Sequence, residues 1–202
     1  AGPQLAALWV GPGPRTGRTR TLRRLVTERG TDVELGDAFY REESAVSRDL
    51  AVLAAVLYKR STGHLRVCDA YGGSGIRAAR YLREAEADFV HCNDANEEMD
   101  ALIRSNLERN APEGAECIVT HTDSHRILYD YYAKRDFLDL IDADSFGLAG
   151  RIIGASLHAI RHGGLMYLCQ TDGRCSGGHF PERSLACYGS WAVQHPSVNE
   201  QG

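Results

Sequence analysis

Short apolar segments alternate with longer amphipathic ones between residues 65 and 169, and this alternation constrains the fold more than any other feature of the chain. Two neighbouring strands run parallel only when a long crossover, usually a helix, connects them. The regular succession of strand and helix therefore predicts an α/β fold, with a parallel, doubly wound sheet and helices on both faces. The segments predicted as strands are residues 65–69, 88–93, 116–120, 137–141 and 164–169.

The segments predicted as helices carry apolar residues at helical spacing. The first lies ahead of the sheet, and its apolar residues recur at i, i+4, i+7 and i+11. These residues are Val46, Leu50, Leu53 and Leu57. The predicted helices span residues 43–60, 75–84, 96–109 and 150–161, and a short one is capped by Ser124. From residue 171 onward the chain is rich in glycine and polar residues, and no clear terminal element is predicted.

Charge is distributed unevenly along the chain. Residues 1–30 carry six arginines and one glutamate, a net charge of +5, whereas the rest carries 17 basic and 26 acidic residues, a net charge of −9. We interpret residues 1–30 as an arm or linker and residues 31–202 as one folded domain; the arm composition also fits the remnant of an organelle transit peptide or a segment that contacts RNA. Because the body is acidic, RNA binding requires a local patch, the arm, or another domain or subunit.

The six cysteines include no Cys-x-x-Cys pair, and four of them fall within predicted strands. We interpret them as reduced, buried thiols rather than zinc ligands or disulfides, which predicts an intracellular location. No apolar run approaches the roughly 18 residues of a membrane span, and no signal-peptide core is present. We expect no metal and no membrane association. The sequence leaves nucleus, cytoplasm, mitochondrion and plastid open.

The first chemical motif is a glycine loop, Asp69-Ala-Tyr-Gly-Gly-Ser-Gly75, that joins a predicted strand to a predicted helix. Glycines such as Gly73 and Gly75 permit positive φ and a close approach of backbone to a ligand. A helix N-terminus there offers free N–H groups. The motif is typical of a cofactor loop, although a tight strand–helix turn without a ligand has the same residues.

Acidic residues follow the next two predicted strands. Asp94 stands where a carboxylate accepts hydrogen bonds from both ribose hydroxyls of an adenosine, or caps the following helix, and the two roles are compatible. Asp123 is in position to reach an adenine amino group, or only to cap its helix.

A third cluster, residues 142–147, follows the fourth predicted strand. The exocyclic amine of a base is a poor nucleophile because its lone pair is delocalised into the ring. Asp144 would accept its N–H protons, and Phe146 would offer a face for a flipped-out base. A solvent-facing loop is the alternative.

Together these residues resemble the tRNA guanine-26 N2-dimethyltransferases, class I S-adenosylmethionine-dependent enzymes with a Rossmann-like fold. The resemblance covers residues 34–189 and agrees in order and spacing. The matching pieces are Phe39-Tyr40, Ser47-Arg48-Asp49, Asp69 to Arg80, Asn93-Asp94, Asp123, Ile141 to Gly147, Gly163 to Leu165 and Thr171 to Gly173.

The resemblance implies a role for each matching position. Arg48 contacts the cofactor, Asp69 with Gly73 and Gly75 surrounds its methionine end, Asp94 holds the ribose, and Asp123 lies near the adenine. Asp144 is the catalytic acid residue, with Phe146 beside the target guanine. Phe39, Thr171 and Asp172 belong to the substrate side of the pocket. The implied activity is methylation of the N2 amine of a guanine in tRNA or another structured RNA, with S-adenosylmethionine as cofactor.

The chain departs from the family pattern at four places. Arg41-Glu42 replaces Asn-Pro, Ser47 replaces Asn, and Ser145 replaces the proline of Asp-Pro-Phe-Gly. The family also continues into further strands and a C-terminal tRNA-binding domain, so we expect either a fragment or a protein that receives these parts from elsewhere. The departures leave two other hypotheses: an inactive subunit or assembly factor of a ribonucleoprotein, and a methyltransferase for a small molecule or protein.

Overall fold

The computed structural model describes residues 24–147 and 150–194, which form a parallel sheet covered by helices on both faces, preceded by a hairpin. Two 3-10 turns, Glu42–Ser44 and Glu97–Met99, lie directly before the helices that begin at Ala45 and Asp100. The elements are β1 (Leu25–Glu28), β2 (Thr31–Glu34), α1 (Ala45–Thr62), β3 (Arg66–Asp69), α2 (Ile76–Ala85), β4 (Phe89–Asn93), α3 (Asp100–Asn110), β5 (Glu116–Thr120), α4 (Ser124–Lys134), β6 (Leu138–Ser145), α5 (Gly150–Ala159), β7 (Ile160–Gln170), α6 (Gly173–Ser176) and α7 (Pro181–Tyr188).

The five strands β3 to β7 pair in parallel in the order β5-β4-β3-β6-β7, which confirms the predicted doubly wound α/β fold. Two apolar cores lie on opposite faces of this sheet. One packs α1, α2 and α3 against the sheet, and the other packs α4 and α5 against it. Because all five strands run the same way, their carboxyl ends and the loops that follow them meet at one edge.

The hairpin β1–β2 was not predicted and occupies the last part of the expected arm. Leu25 pairs with Glu34 and Glu28 with Thr31, around a turn in which Arg29 and Gly30 have positive φ. The folded domain therefore includes residues 24–30, and the predicted boundary at residue 30 lies inside it. Residues 1–23, the remainder of the predicted arm, lie outside the described residues.

Glu28 explains why this hairpin is held against the domain. Its buried carboxylate accepts hydrogen bonds from Arg48 of α1 at 2.8 and 2.6 Å and from Arg80 of α2 at 2.6 Å. These arginines hold the pKa of Glu28 below its ordinary value, against the opposing effect of burial. A contact between residues 20 and 52 positions apart leaves no signal in local periodicity, so sequence patterning missed the hairpin.

Helix α1 buries a different face from the one its pattern indicates. The predicted helix is present, but each of its four periodic apolar residues is more than half exposed: Val46, Leu50, Leu53 and Leu57. The buried face contains Arg48, Ala51, Val52 and Ala55. Small side chains on that face let α1 pack closely on α2, and the buried ion pairs of Arg48 compensate for its charge.

The C-terminal half of the sheet is longer than predicted. β6 continues to Ser145, so Asp142 and Asp144 lie within the strand rather than in a loop after it. The segment after residue 171, predicted to lack a clear element, forms α6 and α7. No helix within the described ranges is long and apolar enough to cross a membrane.

Candidate functional site

The glycine loop between β3 and α2 lies at the carboxyl edge of the sheet and needs its glycines. Gly73 and Gly75 have φ of +55° and +79°, a region that other residues rarely adopt. Gly72 is close-packed instead: a Cβ at this position would clash with the Cys92 sulfur, and its N–H donates to the Asn93 carbonyl at 2.7 Å. Gly75 is the N-cap of α2 and has no side chain that could accept from the first N–H groups of the helix. The N-terminus of α2 therefore lies open toward the loop.

Asp69 lies behind this loop rather than in it. Its carboxylate is fully buried, and one oxygen accepts from the Ala78 N–H of α2 at 3.2 Å. Burial, followed by the neighbouring charge of Asp142, raises the pKa of Asp69 to about 8. The two residues are register partners on β3 and β6. Asp69 thus stabilises the start of α2, and its predicted place at the methionine end of a cofactor stays a prediction.

Asp94 lies beside the glycine loop, where it was predicted. One carboxylate oxygen accepts from the Gly73 N–H at 2.8 Å, and the other accepts from the Asn96 N–H at 2.9 Å. Asp94 therefore links the ends of β3 and β4, while Asn96 caps the next turn. The predicted capping role of Asp94 is therefore wrong, whereas the carboxylate has further lone pairs for ribose hydroxyls and that role stays a prediction.

Asp123 is the N-cap of α4, accepting from the N–H groups of His125 and Arg126 at 3.0 and 3.1 Å. The capping role is confirmed, and it belongs to Asp123 rather than to Ser124, the predicted cap. Its predicted proximity to an adenine stays a prediction.

Asp144 is held at the end of β6 by an arginine that the motif analysis overlooked. Arg77 of α2 donates from Nε and Nη2 to Oδ2 of Asp144 at 3.1 and 2.8 Å, and from Nη1 to Asp142 at 3.2 Å. Tyr81 also donates to Asp142, at 2.6 Å. Arg77 was visible in the sequence within Asp69 to Arg80, but only the fold brings its helix against β6.

Phe39 and Phe146 meet at the surface near this carboxylate. Their side chains are 69% and 74% exposed, and their rings pack edge to face with centroids 5.5 Å apart. Two residues predicted separately for the substrate side are thus brought together from positions 107 residues apart. An exposed aromatic pair of this kind offers a stacking surface for a base.

Thr171 fixes the loop that carries Phe146. Its hydroxyl accepts from the Gly147 N–H at 2.9 Å. Asp172, also predicted at the pocket rim, caps α6 through the Cys175 N–H at 3.3 Å. Ser145, which replaces the family's proline, is buried, and its hydroxyl has no hydrogen-bond partner among the described residues.

Arg48 is bound to the hairpin. Besides Glu28, its guanidinium donates to the Arg41 carbonyl at 3.1 Å and lies 5.1 Å from the ring centroid of Tyr40. These contacts give it a structural role, and the cofactor contact implied by the resemblance stays a prediction.

The cysteines and the remaining acids form no metal site in the part of the chain that the structure describes. All six thiols are free, and three of them are buried: Cys68, Cys92 and Cys175. Burial raises the pKa of Cys68 and Cys92, which keeps these thiols protonated.

Comparison with known proteins identifies the family. The model of the N2,N2-dimethylguanosine tRNA methyltransferases matches residues 24–202. The chain belongs to this family. The relationship inferred from the motifs is confirmed, and the match begins at the hairpin rather than at the predicted domain boundary.

Two curated family members, each named tRNA (guanine(26)-N(2))-dimethyltransferase, show the extent of the similarity. The protein from Pyrobaculum arsenaticum is 32% identical over 165 residues, which cover 81% of this chain and 44% of that protein. The protein from Thermococcus kodakarensis is 27% identical over 194 residues, covering 90% and 50%. The chain thus spans about half the length of the curated relatives it matches.

Solved structures share the fold. Trm1 from Pyrococcus horikoshii, in complex with S-adenosyl-L-methionine, superimposes with a TM-score of 0.73 at 23% identity, covering 88% of this chain and 50% of that one. Trm5 from Methanocaldococcus jannaschii, in complex with adenosine, gives a TM-score of 0.58 at 16% identity, covering 86% and 47%. These likenesses place the chain among Rossmann-like methyltransferase folds.

Proposed function

We propose that this chain carries the methyl-transfer site of an S-adenosylmethionine-dependent enzyme that methylates the N2 amine of a guanine in tRNA. The observation that carries the proposal is the juxtaposition, at one edge of the sheet, of an acceptor carboxylate, an exposed aromatic pair and a glycine loop. The family membership and the names of the relatives support it. An intracellular location is part of the proposal, since six free thiols suit a reducing compartment.

The residues at the edge fit such a cofactor. Gly73 and Gly75 have no side chains that would keep a ligand from the backbone of the loop, and Asp94 stands between this loop and the end of β4, where it can accept from ribose hydroxyls. When bound, S-adenosylmethionine supplies an electrophilic methyl group on its sulfonium sulfur.

The acceptor side would orient the base and manage its proton. The Phe39–Phe146 pair stacks on a flipped-out guanine and limits its rotation. Asp144, whose side chain is 38% exposed, accepts an N–H of the exocyclic amine and directs the nitrogen lone pair toward the methyl group. The amine nitrogen would lose a proton on taking up the methyl group, and Asp144 is placed to receive that proton.

The deciding experiment is transfer of a labelled methyl group from S-adenosylmethionine to tRNA, followed by nucleoside analysis. We expect product on guanine N2 with the unaltered chain and a loss of about 100-fold or more in kcat with Asp144→Ala. Cofactor affinity should change little, because Asp144 belongs to the acceptor side. Asp144→Asn, which keeps the shape but not the charge, is the matched variant.

Other outcomes separate the alternatives. Transfer by Asp144→Ala at the unaltered rate would refute the role of Asp144. A well-folded chain that binds no S-adenosylmethionine in a calorimetric titration would refute the enzyme and direct the search toward a ribonucleoprotein particle that copurifies with the chain.

A further inference from the structure

Arg77 connects the two sides of the candidate site. It is the second residue of α2, the helix that begins at the glycine loop, yet its guanidinium reaches Asp144 at the end of β6. Two nitrogens, Nε and Nη2, donate to the same oxygen, Oδ2, at 3.1 and 2.8 Å. This fork, two donors on one acceptor, holds Oδ2 in place more firmly than a single bond would.

The guanidinium is itself fixed from other directions. Its Nη1 donates to Oδ2 of Asp142 at 3.2 Å, and Tyr81, one turn further along α2, donates to that same oxygen. The Tyr167 ring of β7 lies against it, with the guanidinium carbon 4.5 Å from the ring centroid. These contacts leave Arg77 little freedom to rotate away from Asp144.

Burial indicates which of the two partners meets a substrate. The Arg77 side chain is 6% exposed and that of Asp144 is 38% exposed, so the arginine lies behind the carboxylate. Both bonds from Arg77 use Oδ2, so this arginine does not occupy Oδ1. The Cys169 thiol also bonds to this carboxylate, but a thiol is a weak donor and cannot replace the fork.

The charge of Arg77 is secured by the same neighbours. Burial opposes ionisation of the guanidinium, but the carboxylates of Asp142 and Asp144 outweigh it and raise the pKa of Arg77 above its ordinary value. Arg77 is therefore a cation at neutral pH.

We propose that Arg77 is a positioning residue, which holds Asp144 so that the exposed part of its carboxylate faces the guanine amine and fixes this acceptor relative to the helix of the glycine loop. The inference rests on the proposed function. Arg77 acts through Asp144 and touches no reacting atom. Its contribution is geometric, since a displacement of about 1 Å of a catalytic group can cost about 100-fold in rate.

The test must allow for the buried charge that loss of Arg77 would leave on Asp142. We therefore compare the double variant Arg77→Met/Asp142→Asn with Asp142→Asn alone, which removes that charge but keeps the Arg77–Asp144 fork. Arg77→Lys retains a cation that cannot form the fork. We expect kcat of the double variant to be about tenfold or more below that of Asp142→Asn, with an intermediate value for Arg77→Lys.

Three readouts distinguish positioning from a general structural role. The affinity for S-adenosylmethionine, measured calorimetrically, should stay within about twofold, because the loss lies in orientation rather than in cofactor binding. Added methylguanidinium should restore part of kcat in Arg77→Ala/Asp142→Asn, which leaves room for it, but none in Asp144→Ala. A crystal structure of the double variant should show the Asp144 carboxylate turned from its present orientation.

Different results would refute the role of Arg77 and the proposed function. If the unaltered chain methylates guanine and the double variant matches Asp142→Asn in kcat, the positioning role is refuted and the function stands. Equal losses of kcat and cofactor affinity without rescue would also refute it, since they indicate a structural role. If the unaltered chain methylates no RNA, the proposed function fails, and the role of Arg77 falls with it.

Discussion

The two sides of the candidate site are built differently. The glycine-loop side, residues 69–94, is held largely by backbone groups: the N–H groups of Gly72 and Gly75 donate to nearby carbonyls, and that of Gly73 donates to Asp94. The acceptor side, residues 142–147 with 167–172, relies on side chains, such as the hydroxyl of Thr171 and the guanidinium-bound carboxylate of Asp144.

This difference has a functional meaning. Backbone bonds persist through most substitutions, so the glycine-loop side is organised before any ligand arrives. The acceptor side depends on particular side chains and exposes two aromatic rings, Phe39 and Phe146. Substitutions should therefore affect the stability of the domain and cofactor affinity on the first side, and the methyl-transfer rate on the second.

The largest effect is expected from Asp69, at the base of the glycine-loop side. Its pKa of about 8 in the folded protein lies above the ordinary value of 3.8, so folding favours its protonated form. That stabilisation is complete at pH below the ordinary value and is lost as pH rises toward 8, with a slope of up to about 1.4 kcal/mol per pH unit. Asp69→Asn mimics the protonated form and should remove the slope.

The measurement is the free energy of unfolding of Asp69→Asn minus that of the unaltered chain, from denaturant titrations between pH 6.5 and 8. This window avoids His91, because burial lowers its pKa to about 4 and the sign of its contribution between pH 4 and 6.5 is the opposite. A difference that does not grow with pH would contradict the assignment.

The next largest effect is expected from Asp94, also on the glycine-loop side. Asp94→Ala removes the acceptor for the Gly73 N–H and the proposed partner of the ribose, so cofactor affinity should fall about tenfold or more. Calorimetric titration with S-adenosylmethionine measures it. Asp94→Asn keeps one acceptor oxygen and should lie between. Equal affinities of the unaltered chain and Asp94→Ala would remove Asp94 from the cofactor site.

A smaller effect is expected on the acceptor side, where Thr171 fixes the loop that carries Phe146. Thr171→Val removes the acceptor for the Gly147 N–H, worth about 1 kcal/mol, and should lower the transfer rate about fivefold. Thr171→Ser retains the hydroxyl and should transfer at nearly the unaltered rate. The measurement is kcat of the two variants. Equal values for Thr171→Val and Thr171→Ser would show that the loop does not need this hydrogen bond.

The smallest effect concerns Ser145, whose buried hydroxyl has no partner among the described residues. Ser145→Ala should raise the free energy of unfolding by about 1 kcal/mol, because it removes an unsatisfied polar group. Ser124→Ala is the matched control: that buried hydroxyl donates to the Ala70 carbonyl at 2.7 Å, so its loss should destabilise. Destabilisation by both variants would show that Ser145 has a partner after all.

The same contrast explains what could be predicted from the sequence. Hydrophobic periodicity and the spacing of glycines are local features of the sequence. They were sufficient to predict the five strands and the positions of Gly73, Gly75 and Asp94 at the ends of strands. Phe146 was singled out from its own motif and Phe39 through the family resemblance, and the structure adds that their rings touch.

Features that depend on distant partners were missed. The buried face of α1 is chosen by its packing on α2 and not by its own apolar period. Likewise, nothing local distinguishes Arg77, which binds Asp144, from Arg80, which binds Glu28. Long-range ion pairs decide both roles, and they become visible only in the fold.

The shared carboxylate of Glu28 also has an evolutionary consequence. One anion in the hairpin serves two buried cations on two helices. A neutral residue at position 28 would remove the carboxylate that pairs with the buried Arg48, whereas Arg80 would keep its ion pairs with Asp49 and Glu84. Loss of Glu28 or Arg48 alone should therefore be costly, and these two positions should be inherited together. A protein engineer who transplants the glycine loop with α2 into another scaffold must carry the hairpin along with it.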